Sequence, residues 1–155
     1  VRAVLQEQLE SHSGLEVIVD VGAANMAAMK EAMNAADRIL IPVPPSQADV
    51  WATQRFLHII GPDLNVVKMN GSQQIMAFVN RADTNKAIRE THETESALKM
   101  LPGIDIVLPH RLKMRTNFRR SLSEGLTVFE MWPRSKAATE FHTLASALYP
   151  DVVDK

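Results

Sequence analysis

Two polar residues stand at the ends of apolar runs, where side chains of a buried sheet become available for chemistry. Asp20 ends the run VIVD, and a carboxylate in this position can hold a magnesium ion beside nucleotide phosphates. The alternative interpretation is an ordinary turn or helix-capping aspartate. Asn80 ends the run FVN, and its side-chain amide both donates and accepts hydrogen bonds, as recognition of an adenine edge requires. The alternative for Asn80 is an Asx turn that opens the next helix.

The charge of the chain is unevenly distributed. Residues 109–136 carry seven Lys/Arg and two Asp/Glu, whereas residues 1–108 carry nine Lys/Arg and 13 Asp/Glu. The basic stretch is therefore a candidate anion-binding surface.

The first part of this stretch predicts a helix over residues 113–124 with two distinct faces. Met114, Phe118 and Leu122 recur every four residues and would face the core. The basic residues expected on or beside another face are Arg111, Lys113, Arg115, Arg119 and Arg120. A row of guanidinium groups suits phosphate oxygens, and phosphate contacts carry no sequence information, so nonspecific DNA binding is one interpretation. An ordinary solvated basic face is the other.

Strands and helices alternate along the chain at the spacing of βαβ units. Apolar, β-branched runs predict strands at 15–21, 38–43, 74–80 and 104–108. Helices are predicted at 1–12, 26–36, 47–60, 85–101, 113–124 and 134–148. Ser46 and Asp49 have capping-box spacing before the third helix, and Gly61 and Pro62 are expected to end it. This order predicts an α/β fold whose mostly parallel sheet is flanked by helices.

Three of the predicted strand ends carry polar or conformationally special residues. They are the segments 20–22, 80–83 and 109–111. Because ligands of open α/β sheets bind at the carboxyl ends of the strands, these segments are expected to converge. For Pro109 the alternative is a residue that only terminates a strand.

The bulk composition describes one globular domain over residues 1–155. The chain is 46% apolar and 23% charged. It has no cysteine, so disulfides and thiolate metal sites are excluded and a cytosolic setting is expected. No apolar run approaches the ~20 residues of a membrane span. Its five histidines show no metal-ligand spacing, so no metal other than magnesium is predicted.

The segment EVIVDVGAANMAAMKEAMNAADRILIPVPPSQADVWA resembles the ParA/MinD family of deviant-Walker ATPases, which have a P-loop NTPase-like fold. The family pattern is an apolar strand ending in Asp, a small-residue loop, a helix, and then an IPV-x-PS segment before another helix. FVNRAD, FRRSLSEGLTVFE and SKAATEFHTLASAL resemble later parts of the same family in the same order. The similarity is greatest to small ParA-like plasmid and chromosome partition proteins.

The resemblance implies roles for individual residues. Asp20 resembles the Walker B aspartate that acts in catalysis and magnesium binding, Asn80 the asparagine that recognises adenine, and Pro109 part of the loop over the base. Arg115, Arg119 and Arg120 resemble members of a basic surface used on nonspecific DNA. The implied cofactors are ATP or ADP with Mg²⁺. The implied partners are DNA, a second copy of the chain and a ParB-like centromere-binding protein, with nucleoid association in the cytoplasm.

Two family elements are missing from the sequence. They are the deviant P-loop of the KGGxGKT type and the following strand that ends in VDxDPQ. Those elements would supply phosphate-binding amides and lysines as well as the first strands of the sheet. We therefore expect residues 1–155 to be the C-terminal portion of a longer ATPase domain, or to pair with another chain. Because those elements are missing, the resemblance does not imply ATP hydrolysis by residues 1–155 alone.

Two function classes follow from the resemblance. The first is a partition ATPase that binds DNA as an ATP-dependent dimer during plasmid or chromosome segregation. The alternative is a non-catalytic or cell-positioning factor on the same fold, which places or assembles cellular machinery. Membrane attachment is not expected, because the terminal ALYPDVVDK is unlike a basic amphipathic membrane helix.

Overall fold

A computed structural model describes residues 2–12, 14–22, 25–68, 73–85 and 87–150. Its helices are α1 (Arg2–Ser11), α2 (Met26–Ala35), α3 (Gln47–Lys68), α4 (Glu90–Met100), α5 (Thr116–Ser123), α6 (Val128–Met131) and α7 (Lys136–Leu148). Its strands are β1 (Arg38–Val43), β2 (Gln74–Val79) and β3 (Ile106–Val107). Helices and strands alternate through most of the chain, so the predicted α/β class is confirmed.

The three strands form one parallel sheet in the order β1-β2-β3. Arg38 of β1 lies opposite Gln74 of β2, and the pairing continues without a bulge to Val43 and Val79. β2 is the central strand, and residues 75–79 are buried on both faces. This burial explains its near-continuous apolar sequence, because a central parallel strand is covered by other elements on both sides.

Helices cover both faces of the sheet. On one face Met33 of α2 and Leu57 of α3 pack against Ile75, and Leu98 of α4 packs against Val79 and its neighbours. On the other face Leu144 of α7 packs in a cluster with the following residues: Met76, Phe78 and Leu108. The sheet therefore separates two apolar layers, as expected for this class.

The predicted strand at residues 15–21 is wrong in the described structure. The segment 15–22 forms no hydrogen-bonded ladder with the described strands, and its side chains are exposed, with Ile18 at 81% and Leu15 at 69%. Apolar, β-branched residues favour an extended backbone, but a strand also needs a neighbouring strand to accept and donate its backbone hydrogen bonds. The described elements supply no such neighbour to this segment.

Several predicted boundaries also need correction. α3 continues through Gly61 and Pro62 to Lys68 instead of ending at residue 60. Proline has a φ close to the helical value, so a helix can include it at the expense of one backbone hydrogen bond. α4 begins at Glu90 rather than residue 85, and α5 begins at Thr116 rather than residue 113. No helix within the described ranges is long and apolar enough to span a membrane.

Candidate functional site

The carboxyl ends of β1 and β2 border an open cleft of about 450 Å³. The loop after β1, the loop after β2 and the first turn of α4 all contribute to it. Its lining residues are Pro44, Pro45, Ser46, Asp49, Arg81, Asp83, Ile88, Glu90, Thr91 and Met114. The cleft therefore lies where open parallel sheets bind their ligands, with apolar, cationic and anionic side chains around it.

Ser46 and Asp49 shape one wall of this cleft. The Asp49 backbone N–H donates to Ser46 Oγ at 3.1 Å, and Ser46 Oγ donates in turn to the Asp49 carboxylate. These bonds fix the first turn of α3, as the capping-box spacing predicted. The carboxylate of Asp49 is thus engaged with its own helix end.

Asn80 lies directly after β2, at the carboxyl edge of the sheet. Its backbone N–H donates to Val43 O at 2.9 Å, and its side-chain Oδ1 accepts from the Arg81 N–H at 2.9 Å. The Asx turns before α4 are formed instead by Asp83 and Asn85. These two bonds fix Asn80 at the carboxyl end of β2. Its side chain is half-buried, and the side-chain amide nitrogen can donate hydrogen bonds to a ligand.

Arg81 has a left-handed backbone conformation, with φ of 55°. Non-glycine residues rarely adopt this conformation, because it brings Cβ close to the following carbonyl oxygen. The backbone bends at Arg81, directly after Asn80, and the Arg81 side chain lines the cleft. Sequence reasoning missed Arg81, and the neighbouring asparagine and aspartate were the available signal of a tight turn.

Residues 112–114 run alongside the loop that contains Asn80 and Arg81. Leu112 N–H donates to Val79 O at 3.2 Å, Ala82 N–H donates to Leu112 O at 2.9 Å, and Met114 N–H donates to Ala82 O at 2.8 Å. Ala82 and Lys113 form a parallel β-bridge. The sheet is thereby extended past the end of β3, on the side of β2 away from β1.

Pro109 lies in the loop between β3 and this bridge. The loop begins where Leu108 N–H donates to Ala77 O at 2.8 Å and ends where Leu112 N–H meets Val79 O. Segments 80–83 and 109–111 therefore converge at one edge of the sheet, as predicted. Among the described residues, no backbone hydrogen bond joins this edge to the third predicted segment, 20–22.

Arg115 forms a two-point ion pair with Glu140 of α7. Arg115 Nε donates to Glu140 Oε2 at 2.9 Å, and Nη2 donates to Oε1 at 2.6 Å. The two side chains are only 18% and 17% exposed. The hydrogen bonds that Arg115 donates to Glu140 raise the pKa of the Arg115 guanidinium above its ordinary value despite partial burial. Arg115 is the residue before α5, so it does not lie on that helix.

Arg111 is similarly engaged, with Glu95 of α4. Its Nε donates to Glu95 Oε2 at 3.0 Å, its Nη2 reaches the same oxygen, and Nη2 also lies 3.2 Å from His92 Nδ1. Partial burial raises the pKa of the Glu95 carboxyl, but the hydrogen bond and charge of Arg111, with Lys99, outweigh burial and hold this pKa below its ordinary value. The ion pair joins the loop after β3 to α4.

The predicted row of arginines on one helix face is not formed, because α5 begins after Arg115. Arg119 and Arg120 lie on α5 with exposed side chains, whereas Arg111 and Arg115 lie before it in ion pairs. The predicted core face is also incomplete, since Leu122 is 80% exposed. Contact of these four arginines with DNA stays a prediction.

A glycine ends α5 and sets the position of its last turn. Gly125 has a φ of 67°, its N–H donates to Leu122 O, and the Leu126 N–H donates back to Ser121 O. This pair of bonds is a Schellman motif, which requires a left-handed residue that glycine adopts at low cost. The motif ends α5 within a few residues of the exposed Arg119 and Arg120.

Asp20 lies in the segment 16–22, which is neither helix nor strand, and is exposed. A carboxylate has the donor chemistry that Mg²⁺ prefers. However, the described residues contain no group of three or more His, Asp or Glu side chains able to hold a metal ion. The described structure therefore does not assemble a magnesium site, and the metal role of Asp20 stays a prediction.

No protein-family model and no solved structure matches the chain significantly. Among curated proteins, it is 27% identical over 136 residues to "Maintenance of carboxysome distribution protein A" of Halothiobacillus neapolitanus (strain ATCC 23641 / c2). The match covers 86% of this chain and 60% of that protein, so the chain spans about three fifths of its relative's length. This similarity supports the ParA/MinD resemblance at the level of the family.

Proposed function

We propose that this chain is part of a ParA/MinD-like nucleotide-binding protein that positions or distributes a large cellular assembly. The observation that carries the proposal is the 136-residue similarity to a protein named for the maintenance of carboxysome distribution. That name favours the cell-positioning alternative over plasmid partition. In this proposal a partner, and not the nucleotide site, determines which assembly is positioned.

The proposed nucleotide site is the carboxyl edge of the sheet. Asn80 places a side-chain amide at the end of the central strand. The loop that contains Pro109 ends at Leu112, whose N–H donates to Val79 O, next to Asn80. An amide that both donates and accepts matches the donor and acceptor pattern of an adenine edge. We propose ATP or ADP as the ligand, with Mg²⁺ held by Asp20 and by residues outside this chain's described part.

The proposed DNA contact is the exposed part of the basic stretch. Arg119 and Arg120 are exposed on α5 and have no ion-pair partner among the described residues, so they are available to phosphate oxygens. Arg111 and Arg115 already have carboxylate partners, and a phosphate would have to displace Glu95 or Glu140. In this proposal the nucleotide promotes dimerisation, and the dimer binds the nucleoid nonspecifically.

Partition of a plasmid or chromosome with a ParB-like partner is the second candidate. The sequence motifs favour it, because they resemble those of small ParA-like partition proteins. Both candidates use the same nucleotide and DNA chemistry, so the cargo distinguishes them.

Removal of the gene from its source organism tests the two candidates. A positioning factor predicts clustered or displaced large assemblies, measured by fluorescence microscopy, with unchanged plasmid retention and few anucleate cells. Plasmid loss or anucleate cells with normally placed assemblies would support partition instead. In parallel, the purified full-length protein is expected to bind unrelated DNA more tightly with ATP than with ADP. Nucleotide-independent DNA binding would contradict both candidates.

A further inference from the structure

Glu140 of α7 holds three N–H groups of one short segment. Its Oε2 accepts from the Lys113 backbone N–H at 3.3 Å and from Arg115 Nε at 2.9 Å, and its Oε1 accepts from Arg115 Nη2 at 2.6 Å. The Glu140 side chain is 17% exposed, so water has limited access to these bonds. A single carboxylate on α7 thus fixes both the backbone and a side chain of residues 113–115.

The segment held by Glu140 also fixes both ends of the turn that contains Asn80. Val79, before the turn, accepts from Leu112 N–H, and Ala82, after it, exchanges hydrogen bonds with Leu112 and Met114. Ala82 is completely buried and cannot shift without disturbing the core cluster of Leu98. Only Asn80 and Arg81 lie between these two fixed points.

The turn itself is in an unfavourable conformation. Arg81 has a φ of 55°, and a strained backbone of this kind persists only where the surrounding structure imposes it. Here the surrounding structure is the β-bridge between Ala82 and Lys113. The backbone N–H of Lys113 in turn donates to the Glu140 carboxylate. Loss of Glu140 would leave the Lys113 N–H without this partner and free the Arg115 guanidinium from its anchor.

We infer that Glu140, together with Arg115, is a positioning pair for Asn80, through which α7 sets the orientation of the base-recognising amide. The inference rests on the proposed function, in which Asn80 contacts the base. Arg115 accordingly acts inside the protein, on the nucleotide site, rather than by touching DNA. A purely structural pair would instead stabilise α7 with no effect on how the site distinguishes bases.

Nucleotide affinity and base preference of the full-length protein test this inference. Dissociation constants for ATP and GTP are measured with Mg²⁺ for the native protein and for Glu140→Gln, Glu140→Ala and Arg115→Lys. Glu124→Gln is the matched control, because Glu124 is an exposed carboxylate at the end of α5. A separate urea-unfolding curve for each variant checks that it is folded under the conditions of the binding measurements.

Glu140→Ala is expected to weaken ATP binding about tenfold and to reduce the preference for ATP over GTP, since loss of the charge-assisted bonds loosens the segment that holds the turn. Glu140→Gln retains one acceptor oxygen and is expected to lie between Glu140→Ala and the native protein. Arg115→Lys keeps the charge but not the two-point geometry and is expected to resemble Glu140→Gln. Glu124→Gln is expected to behave as the native protein.

In an Asn80→Ala background, the Glu140 substitutions are expected to have no further effect on base preference. A native protein that prefers ATP, with variants that keep both affinity and preference, would overturn the inference and leave the proposed function intact. A native protein that binds neither nucleotide would overturn the proposed function itself. If Glu140→Ala does not fold, Glu140→Gln and Arg115→Lys still decide the result.

Discussion

Arg111 and Glu95, 16 residues apart in the chain, form an ion pair in which two N–H groups of the Arg111 guanidinium donate to the same oxygen, Oε2 of Glu95. The side chains are 24% and 12% exposed, so this is a partly buried ion pair rather than a surface one. It anchors the loop after β3 to α4. A pair of this kind has measurable consequences for stability, because removal of one partner leaves the other poorly solvated.

Glu95→Ala is expected to lower the free energy of unfolding by about 1–3 kcal/mol, because the Arg111 guanidinium loses its carboxylate in a partly buried site. Urea unfolding of the full-length protein measures this loss. Glu93→Ala, an exposed carboxylate in the first turn of the same helix, is expected to cost less than about 1 kcal/mol. Additive effects of Glu95→Ala and Arg111→Ala in a double-mutant cycle would contradict a direct interaction.

The same pair predicts a pH dependence of stability. The pKa of Glu95 in the folded protein lies below its ordinary value of 4.5, so folding favours the ionised carboxylate. The stabilisation is therefore complete above the pKa of the unfolded chain and is lost as the pH falls through the lower folded pKa. The stability difference between the native protein and Glu95→Gln is expected to be constant near neutrality and to shrink below about pH 4.5. A difference that grows in acid would contradict this sign.

Leu98→Ala is expected to destabilise the protein by about 2–5 kcal/mol, because it creates a cavity beneath the carboxyl edge of the sheet. Leu98 is completely buried and packs with residues of all three strands or their extensions. Met100→Ala is the control on the same helix, since Met100 is 77% exposed, and it should change stability by less than about 0.5 kcal/mol. Similar losses for the two variants would argue against the described packing of α4.

Substitutions of Arg81 separate backbone strain from the role of its side chain. Arg81→Gly is expected to leave stability unchanged or to raise it by about 1 kcal/mol, because glycine adopts a positive φ without strain. Arg81→Val is expected to lower it by about 1–3 kcal/mol, because a β-branched residue is poorly tolerated there. Both variants remove the guanidinium, so thermal unfolding of the two isolates the backbone effect. Equal stability of both variants would exclude a left-handed residue at this position.

The salt dependence of DNA binding distinguishes exposed from engaged arginines. Arg119→Gln and Arg120→Gln are each expected to reduce the slope of log affinity against log salt by about 0.9, the value for one phosphate contact on duplex DNA. Arg111→Gln and Arg115→Gln are expected to leave the slope unchanged. Arg55→Gln on α3 controls for net charge. An unchanged slope for Arg119→Gln and Arg120→Gln would remove α5 from the DNA surface.

Local sequence patterns predicted the elements whose structure depends on burial within a sheet. The run 75–79 is apolar throughout because this part of β2 is covered on both faces, and that pattern is visible without the structure. Polar residues after strand ends likewise predicted that segments 80–83 and 109–111 would converge. Sequence patterns thus predict an element correctly where the spacing of its apolar residues results directly from their burial in the sheet.

Features that depend on distant partners could not be predicted in this way. Arg115 and Glu140 are 25 residues apart, and nothing in the basic stretch indicates that a carboxylate of α7 accepts from that arginine. The segment 15–21 shows the converse, since its residues favour an extended backbone but the described strands do not pair with it. Helix-facing arguments for Arg111 failed because they assumed a helix start that the bridge at Lys113 prevents.

Pro42 makes the outer edge of β1 asymmetric. The carbonyls of Asp37 and Val43 accept from Gln74 at the start of β2 and from Asn80 directly after it. Odd-numbered residues of β1 therefore direct their backbone groups towards β2, and even-numbered ones direct them outwards. On the outer edge, Arg38 and Leu40 each have an N–H to donate, but Pro42 has none. A strand added at this edge could receive donors only along its half distant from the cleft. Strand pairing is therefore disfavoured at the end of this edge nearest the cleft, because Pro42 has no backbone N–H to donate there.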